Sequence, residues 1–583
     1  MKRFNLAEWS IKHKSIIYFF IIVIVLGGIW SYFNLGRSED PDFTMKQSVV
    51  AVAWPGASSE QMAEKVADPL ERKLQETKGI DNVKSVTHDG KTIIYVTLSD
   101  SVPQKDIATR WHDVRNLVND EMKNLPSGVI GPFVNDRFDD VYGSIYAVTG
   151  DDYSYEEKRK AAEELRRKLS TVKDVQQVKL LGVQEQTIYI EMDQNKLASM
   201  GISPASVFQM LKRQSSLMPS GMIQTGSRNV AIRVSGLLEN EDSIRQIPIQ
   251  IGDRSFKVGD IASVHQVYAQ PEKSLMYFNG KPAIGVAVSM VPGGDNTILG
   301  KNLQKVVEQE KSNLPLGMDI GLVADQPSVV VNSIGEFTES LIEAIVIVMI
   351  ASFISLGLWS GIVLALCIPV VVCASFIFMK WQGIDLHIVS LGSLIVSLGL
   401  LVDDAIIVIE MIQVKLENGL GRMEAAQAAY KSCAKPMLAG TLITAAGFIP
   451  VGFSKGSTAE YVGAFFFVIA ATLILSWLTS IFVSPVLGYK FIRINTEKKE
   501  NAFSRISKKV ADKTYEIFHK WITYCIRFKR TVMIATVGIF ALTILAIPFV
   551  NKEFFPDSVR PELILDVNLP QGSSITDTKK VMS

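Results

Sequence analysis

The stretch from Ile388 to Ile412, IVSLGSLIVSLGLLVDDAIIVIEMI, decides how this chain is read. It is long and apolar enough to cross a bilayer as one helix, yet Asp403 and Asp404 stand side by side in it. A charged aspartate at mid-bilayer costs roughly 2.5–3.5 kcal/mol on insertion scales, while a flanking Leu, Ile or Val returns only about 0.3–0.6 kcal/mol. Acids at that cost face a bundle interior or an aqueous cavity, and they mark ion or proton paths. The competing reading is a buried pair that only hydrogen-bonds one helix to another.

The spacing around the acids favours the proton path. Ser390, Ser393, Ser397 and Asp404 share one helical stripe, and Gly392, Gly399, Asp403 and Glu410 share the next. Small residues admit a neighbouring helix, and hydroxyls can pass a hydrogen bond or a water toward an acid. Two adjacent carboxylates in a low dielectric are expected to exchange protons as a unit. One proton falling through a membrane potential yields about 2.3 kcal/mol per 100 mV, so roughly 4 kcal/mol at about 180 mV. That supports a substrate gradient on the order of a thousandfold. Ser397, Glu410 and Glu343 are candidate relay or helix-packing residues for the pair, and His387 reads as an interface residue. No Lys or Arg interrupts the apolar cores of the first six spans, so the compensating cation is expected from a second repeat.

Working outward, the 583 residues are 48% hydrophobic and 20% charged. That mixture fits helices in lipid joined to a large aqueous domain. A net charge of +1 gives no reason to expect nucleic acid as a partner. The hydrophilic region from Leu35 to about Gly335 contains no cysteine, which excludes a disulfide framework there and a Cys-based metal site. Gly294–Asn302 imitates a phosphate loop, but its glycines are one residue too far apart and Asn302 replaces the required hydroxyl. No serine elbow or HExxH motif occurs, and Met210, Met218 and Met222 cluster loosely and read as packing, with a soft-metal site as the alternative. A secondary transporter with no metal or cofactor, driven by the proton gradient, is expected rather than an enzyme.

Apolar spans are expected at 15–34, 336–358, 361–380, 388–412, 435–453, 461–489 and 531–550, after a cytoplasmic N-terminus at 1–14. Basic residues before the first span, and twelve Lys/Arg against four Asp/Glu between Lys490 and Arg530, place both segments on the cytoplasmic side. Within 490–530, Phe503, Ile506, Val510, Ile517, Trp521 and Ile522 predict an amphipathic helix on the membrane surface. The loop between the first two spans then lies outside. Its strands and helices alternate in the β-α-β-β-α order of a ferredoxin-like, split βαβ unit, first over 35–139. A second round over 140–183 and 272–330 is interrupted by a β-rich insertion at 184–271. A shift of 515 positions lays 551–583 on the start of the first outer domain, with Pro41-Asp42 on Pro556-Asp557 and Ser58-Ser59 on Ser573-Ser574. Such internal repeats mark transporter folds, and the second repeat is expected to be cut short at Ser583.

At GLLVDDAIIVIE (Gly399–Glu410) the sequence resembles the resistance–nodulation–division superfamily, in its hydrophobe/amphiphile efflux branch. VVAVAWPGASSEQMAEKV (Val49–Val66), Lys78–Val83, Phe278–Pro282 and Gly456–Thr458 carry the same resemblance. It implies an α-helical polytopic inner-membrane protein with a large α+β periplasmic domain, built of two porter subdomains and an inserted docking module. It further implies a homotrimer that exchanges protons for small amphiphilic substrates, working with a periplasmic adaptor and an outer-membrane channel. Asp403 and Asp404 would carry the protons, and Tyr142 and Leu181 would line the substrate pocket. A heavy-metal exporter of the same superfamily, and a relative that senses lipid or assists protein secretion, are the rival readings.

Overall fold

The computed structural model describes residues 5–41, 44–136, 141–214, 222–226, 228–231, 240–251, 254–492, 502–549, 562–570 and 572–582. Met218, the Lys498-Lys499 pair and Pro556-Asp557 lie outside the described residues. The chain divides into two compact units, residues 1–136 with 331–566, and residues 137–330 with 567–583.

The first unit begins with α1 (Leu6–Lys12) and α2 (Lys14–Asn34). Asn5 caps α1, donates its side-chain amide to the Gln427 carbonyl at 3.2 Å, and Ala7, Ser10 and Ile11 are buried. Beyond α2, β1 (Gln47–Ala53) alternates half-buried and buried residues, as a strand with one covered face must. The capping box of Ser58 and Gln61 starts α3 (Ser59–Met62), and a π turn (Ala63–Ala67) continues it into α4 (Asp68–Gln75). Strands β2 (Ile80–His88) and β3 (Lys91–Leu98), helix α5 (Gln104–Glu121) and strand β4 (Ile130–Asn135) complete the subdomain. The sheet order is β2-β3-β1-β4, all antiparallel. Val50, Val52, Ile94 and Val96 point from the sheet onto Leu70, Leu74, Trp111 and Val114 of the helices. Strand β4 was not legible in the sequence because Gly131 and Pro132 interrupt it. A proline is tolerated on an edge strand, and β4 is one.

The second unit repeats this plan. β5 (Ser144–Gly150), α6 (Tyr155–Leu169) and β6 (Val175–Leu181) precede an insertion. The insertion comprises β7 (Gln186–Met192), α7 (Gln194–Met200), α8 (Pro204–Gln214), β8 (Met222–Thr225), β9 (Arg228–Ala231), α9 (Glu241–Arg245), β10 (Pro248–Ile251), β11 (Arg254–Lys257), α10 (Val258–Ile261) and β12 (Ala262–Tyr268). The chain then returns through β13 (Met276–Phe278), β14 (Lys281–Met290), α11 (Asn296–Asn313) and β15 (Met318–Asp325). β14 lies between β5 and β6, and β15 flanks β5. Strand β7 pairs with β12, and together they close the insertion around its own core of Leu197, Val207, Ile244, Ile249 and Ile261. Tyr155 and Tyr268 meet edge to face at the insertion's base, where the Tyr268 hydroxyl donates to Glu156 at 2.7 Å. The hairpin around Gln224–Arg228 has strands of four residues each.

Helix α12 (Gln326–Leu356) is followed, after Gly357 at φ 79°, by α13 (Leu358–Gln382) and α14 (Ile388–Glu417). Next come α15 (Arg422–Gly447), the short α16 (Ile449–Phe453) and α17 (Ser457–Phe491). The expected single span at 435–453 is therefore two pieces: α15 starts earlier and breaks at Phe448, one residue before α16 with Pro450 in its first turn. α18 (Ala502–Arg527) and α19 (Lys529–Ala546) follow, and α20 (Ile575–Met582) ends the described chain in the second unit. Among the described residues five helices are long and apolar enough to cross a membrane: Lys14–Asn34, Gln326–Ile354, Leu358–Gln382, Thr458–Phe491 and Lys529–Phe549; α14, which carries the two aspartates, and α15 with α16, over the expected spans 388–412 and 435–453, are not among the five.

α13, α14 and α17 pack on one another, α15 joins α14 and α17, and α2 lies on α13. Gly28 allows that last approach, since a Cβ there would lie 2.6 Å from the Cys373 backbone. Hydroxyls lock the bundle where apolar packing alone has no direction: Ser375 with Thr472 at 3.0 Å, and Ser360 to Gln413 at 2.9 Å. At the start of α17, Glu460 sits 3.3 Å from the buried Lys46 ammonium, and Tyr461 donates to Asp40 at 2.7 Å. These bonds tie α17 to the segment leading into the first sheet.

Candidate functional site

The register of α14 begins at His387. Its Nδ1 accepts the Ser390 N–H at 3.2 Å, while Ser390 Oγ accepts the His387 N–H at 3.0 Å. His387 is buried and serves as the helix cap, a role the sequence did not suggest because histidine is an uncommon N-cap. From that start, successive residues turn by about 100°. Ser390, Ser393, Ser397 and Asp404 accordingly point into the bundle, and Gly399, Asp403 and Glu410 point away from it.

Adjacent in sequence, the two aspartates occupy different environments. Asp404 is buried, and its Oδ2 accepts the hydroxyl of Thr441 on α15 at 3.2 Å. Asp403 is exposed in this chain, on a face it shares with exposed Val396 and Ile407 and with Gly399, whose missing side chain would meet nothing within 4 Å. Helix α17 fixes the backbone beside them, because Ser476 Oγ donates to the Leu401 carbonyl at 2.6 Å, one turn before Asp404.

The serine stripe does not form a chain to the acid. Ser393 donates to the Val389 carbonyl at 2.6 Å and Ser397 to the Leu394 carbonyl at 2.9 Å, so both hydroxyls return to their own helix. Glu410 is exposed two turns beyond Asp403, and Glu343 is exposed on α12. Among the described residues no hydrogen bond joins Ser397, Glu410 or Glu343 to the pair. Thr441, which does reach it, was absent from the sequence reading. A threonine inside an apolar helix is an unremarkable residue, and its partner lies 37 positions away. Among the described residues, no group of three or more His, Cys, Asp or Glu is arranged to hold a metal ion.

The second sequence-derived site, Tyr142 and Leu181, lies in the other unit. The Tyr142 hydroxyl donates to Gln177 at 2.9 Å, and Leu181 pairs with Gly285 across β6 and β14. Helices α6 and α11 cover one side of this sheet through Tyr146, Val148, Val286 and Leu303. On the opposite side Gly285 and Gly321 leave room for the side chains of Met276 and Phe278, which lie against them. Leu181, Met276 and Phe278 thus form an apolar patch edged by Tyr142 and Gln177. The sequence does not assign Met276 and Phe278 to a pocket: Gly285, which seats Met276, follows on the next strand, but Gly321, which seats Phe278, comes from β15, and no local pattern joins the three strands.

The chain is similar to proteins named for multidrug resistance. Multidrug resistance protein MdtC of Pectobacterium carotovorum subsp. carotovorum (strain PC1) is 24% identical over 561 residues, covering 95% of this chain and 54% of that protein. MdtC of Serratia proteamaculans (strain 568) is 24% identical over 562 residues, covering 95% and 54%. MdtC of Photorhabdus laumondii subsp. laumondii is 24% identical over 571 residues, covering 96% and 54%. The chain spans about half the length of the curated relatives it matches. With a family model matched from residue 6 to residue 583, the chain belongs to the AcrB/AcrD/AcrF family of resistance–nodulation–division proteins.

Proposed function

We propose that this chain is part of a proton-driven exporter of hydrophobic or amphiphilic compounds, seated in the inner membrane with its two α/β subdomains in the periplasm. The observation that carries the reading is Asp404, a carboxyl buried in the middle of an apolar bundle whose bonded partner there is a neutral hydroxyl. An acid so placed is costly in a membrane protein, and acids that bear that cost mark proton or ion paths. Asp403 works beside it on a face open to a further helix, and a basic side chain from a second repeat would compensate the pair. The relatives named multidrug resistance proteins support export of drug-like compounds.

The outer subdomains act as ferredoxin-like porter modules. The sheet order β2-β3-β1-β4, with two helices on one face, supports that assignment for the first, and the equivalent order around β14 and β5 supports it for the second. The patch of Leu181, Met276 and Phe278 offers an amphiphile apolar contact, with Tyr142 and Gln177 as polar anchors. The β7–β12 insertion is a docking module, and a homotrimer, an adaptor and an outer-membrane channel complete the route.

Accumulation of a fluorescent dye, in cells lacking their own pumps and expressing the complete protein from its gene, tests this. The parent lowers accumulation, whereas Asp404→Asn and Asp403→Asn abolish the effect while reaching the membrane in equal amount. Undiminished pumping by Asp404→Asn would refute the proton-carrying role.

A further inference from the structure

The hydroxyl beside the buried acid has more acceptors than protons. Thr441 Oγ1 lies 2.8 Å from the carbonyl of Met437, one turn back on its own helix, and 3.2 Å from Asp404 Oδ2. A threonine hydroxyl has one proton to donate and lone pairs to accept with. It therefore cannot give a full hydrogen bond to both oxygens at once, and the charge on Asp404 decides between them. Beside a carboxylate, the proton turns to Asp404, because a bond to an ionised acceptor is roughly twice as strong as one to a neutral carbonyl. Beside a protonated acid, the Asp404 O–H donates to Thr441 Oγ1 and the threonine proton turns back to the Met437 carbonyl. Every group stays bonded in both states.

From this geometry we infer that Thr441 is a positioning residue of the proton site: its hydroxyl holds Asp404 in both charge states and redirects its own proton as the acid loads and unloads. This rests on the proton-carrying reading of Asp404 and adds to it a partner on a second helix. The place of the switch has a consequence for α15. Donation from a hydroxyl to the carbonyl four residues back bends a helix. Pro436, next to Met437, has already removed one ladder bond there by lacking an N–H. The same stretch bears on α17, where Trp477 Nε1 donates to the Ala434 carbonyl at 3.1 Å. Loading Asp404 thus favours a more bent α15 at Met437–Thr441, in the turn after the one that Pro436 weakens.

The charged surroundings are few. On α14 the neighbouring charges are Asp403 and, two turns on, Glu410, both exposed. On α15 the nearest are Lys435 and Lys431, both exposed and more than a turn from Thr441. On α17 the buried polar groups are the hydroxyls of Thr472, Ser476 and Ser480, of which Ser476 bonds the Leu401 carbonyl beside the acid, and on α13 Ser375 and the Cys367 thiol bond Thr472 and Ser484.

The test uses the complete protein in membranes, with Thr441→Val removing the hydroxyl at constant shape and Thr441→Ser restoring it. Dye efflux is measured against external pH, and the carboxyl stretching band of Asp404, assigned by its loss in Asp404→Asn, is followed by infrared difference spectroscopy. The valine variant is expected to lose about tenfold in efflux and to have its pH midpoint displaced by about one unit, the equivalent of one charge-assisted hydrogen bond. Its carboxyl band moves to the position of a non-bonded acid, and serine restores all three readouts. A valine variant with the parental pH profile and band position would overturn the inference. If valine fails to accumulate in the membrane, Thr441→Ala is read by the same criteria. Failure of the underlying reading looks different: Asp404→Asn would then pump normally, whatever stands at position 441.

Discussion

Removing Glu460 should weaken the tie between α17 and the first sheet more than removing its partner does. The Lys46 side chain is 5% exposed and that of Glu460 20%, with Nζ 3.3 Å from Oε1. Lys46 also donates to the Asp100 carbonyl at 3.1 Å, and Glu460 accepts the Thr44 N–H at 3.4 Å. At an effective dielectric of about 20, opposite charges at that separation attract by roughly 5 kcal/mol, part of which offsets their desolvation. Glu460→Leu strands an ammonium in a nearly dry site with one carbonyl for company, and breaking a buried pair in this way costs about 3–5 kcal/mol. Because water reaches the Glu460 side, the lower end, about 3 kcal/mol, is expected. Lys46→Met leaves a carboxylate that still holds the Thr44 amide and meets solvent, so about 1 kcal/mol is lost. The double variant has no stranded charge and should lose no more than about 1 kcal/mol, a coupling of roughly 3–4 kcal/mol. Hydrogen–deuterium exchange on peptides covering residues 44–53 and 457–464 measures the local opening free energy in each of the four proteins. If Glu460→Leu and the double variant open equally easily, the stranded-charge argument is wrong.

Two further outcomes follow from particular contacts. Gly28→Leu should push α2 off α13 at a cost of about 1–3 kcal/mol, since the obstructing atoms are Cys373 backbone, and maleimide labelling of Cys373 should accelerate; unchanged labelling would contradict the packing. Tyr268 is pushed up to about 12 by burial and by the Glu156 carboxylate it donates to. Its contribution to the base of the insertion is present below the ordinary tyrosine value near 10 and is lost as the pH rises through about 12. Burial pushes Tyr146 up to about 12 as well, so a tyrosinate titration should show several late-titrating groups in the parent and one fewer in Tyr268→Phe.

The legible parts of this protein were those whose signal is local. Leu70 and Leu74, or Ile107, Trp111, Val114 and Val118, repeat at helical spacing, and Val50 and Val52 alternate with less buried neighbours. Each pattern names an element and the face it buries within one short window. A strand whose partner is distant carries no such mark. Nothing within Thr187–Glu191 says that it will join β12 rather than the sheet beside it, because alternation is the same in both settings. Strand β4 was hidden for the opposite reason, its glycine and proline reading as turn until an edge position accommodates them.

The candidate site divides along the same line. From the sequence alone came the two acids in an apolar run, their cost in lipid and the stripes on which they lie, all consequences of one helix and its solvent. Tertiary packing alone decided that Asp404 turns inward while Asp403 is left on an uncovered face, that the serines satisfy their own backbone, and that Thr441 is the group bonded to the buried acid. A helix's period fixes the angles between its own side chains, whereas the atom facing each of them belongs to another helix, brought there by contacts spread over the whole bundle.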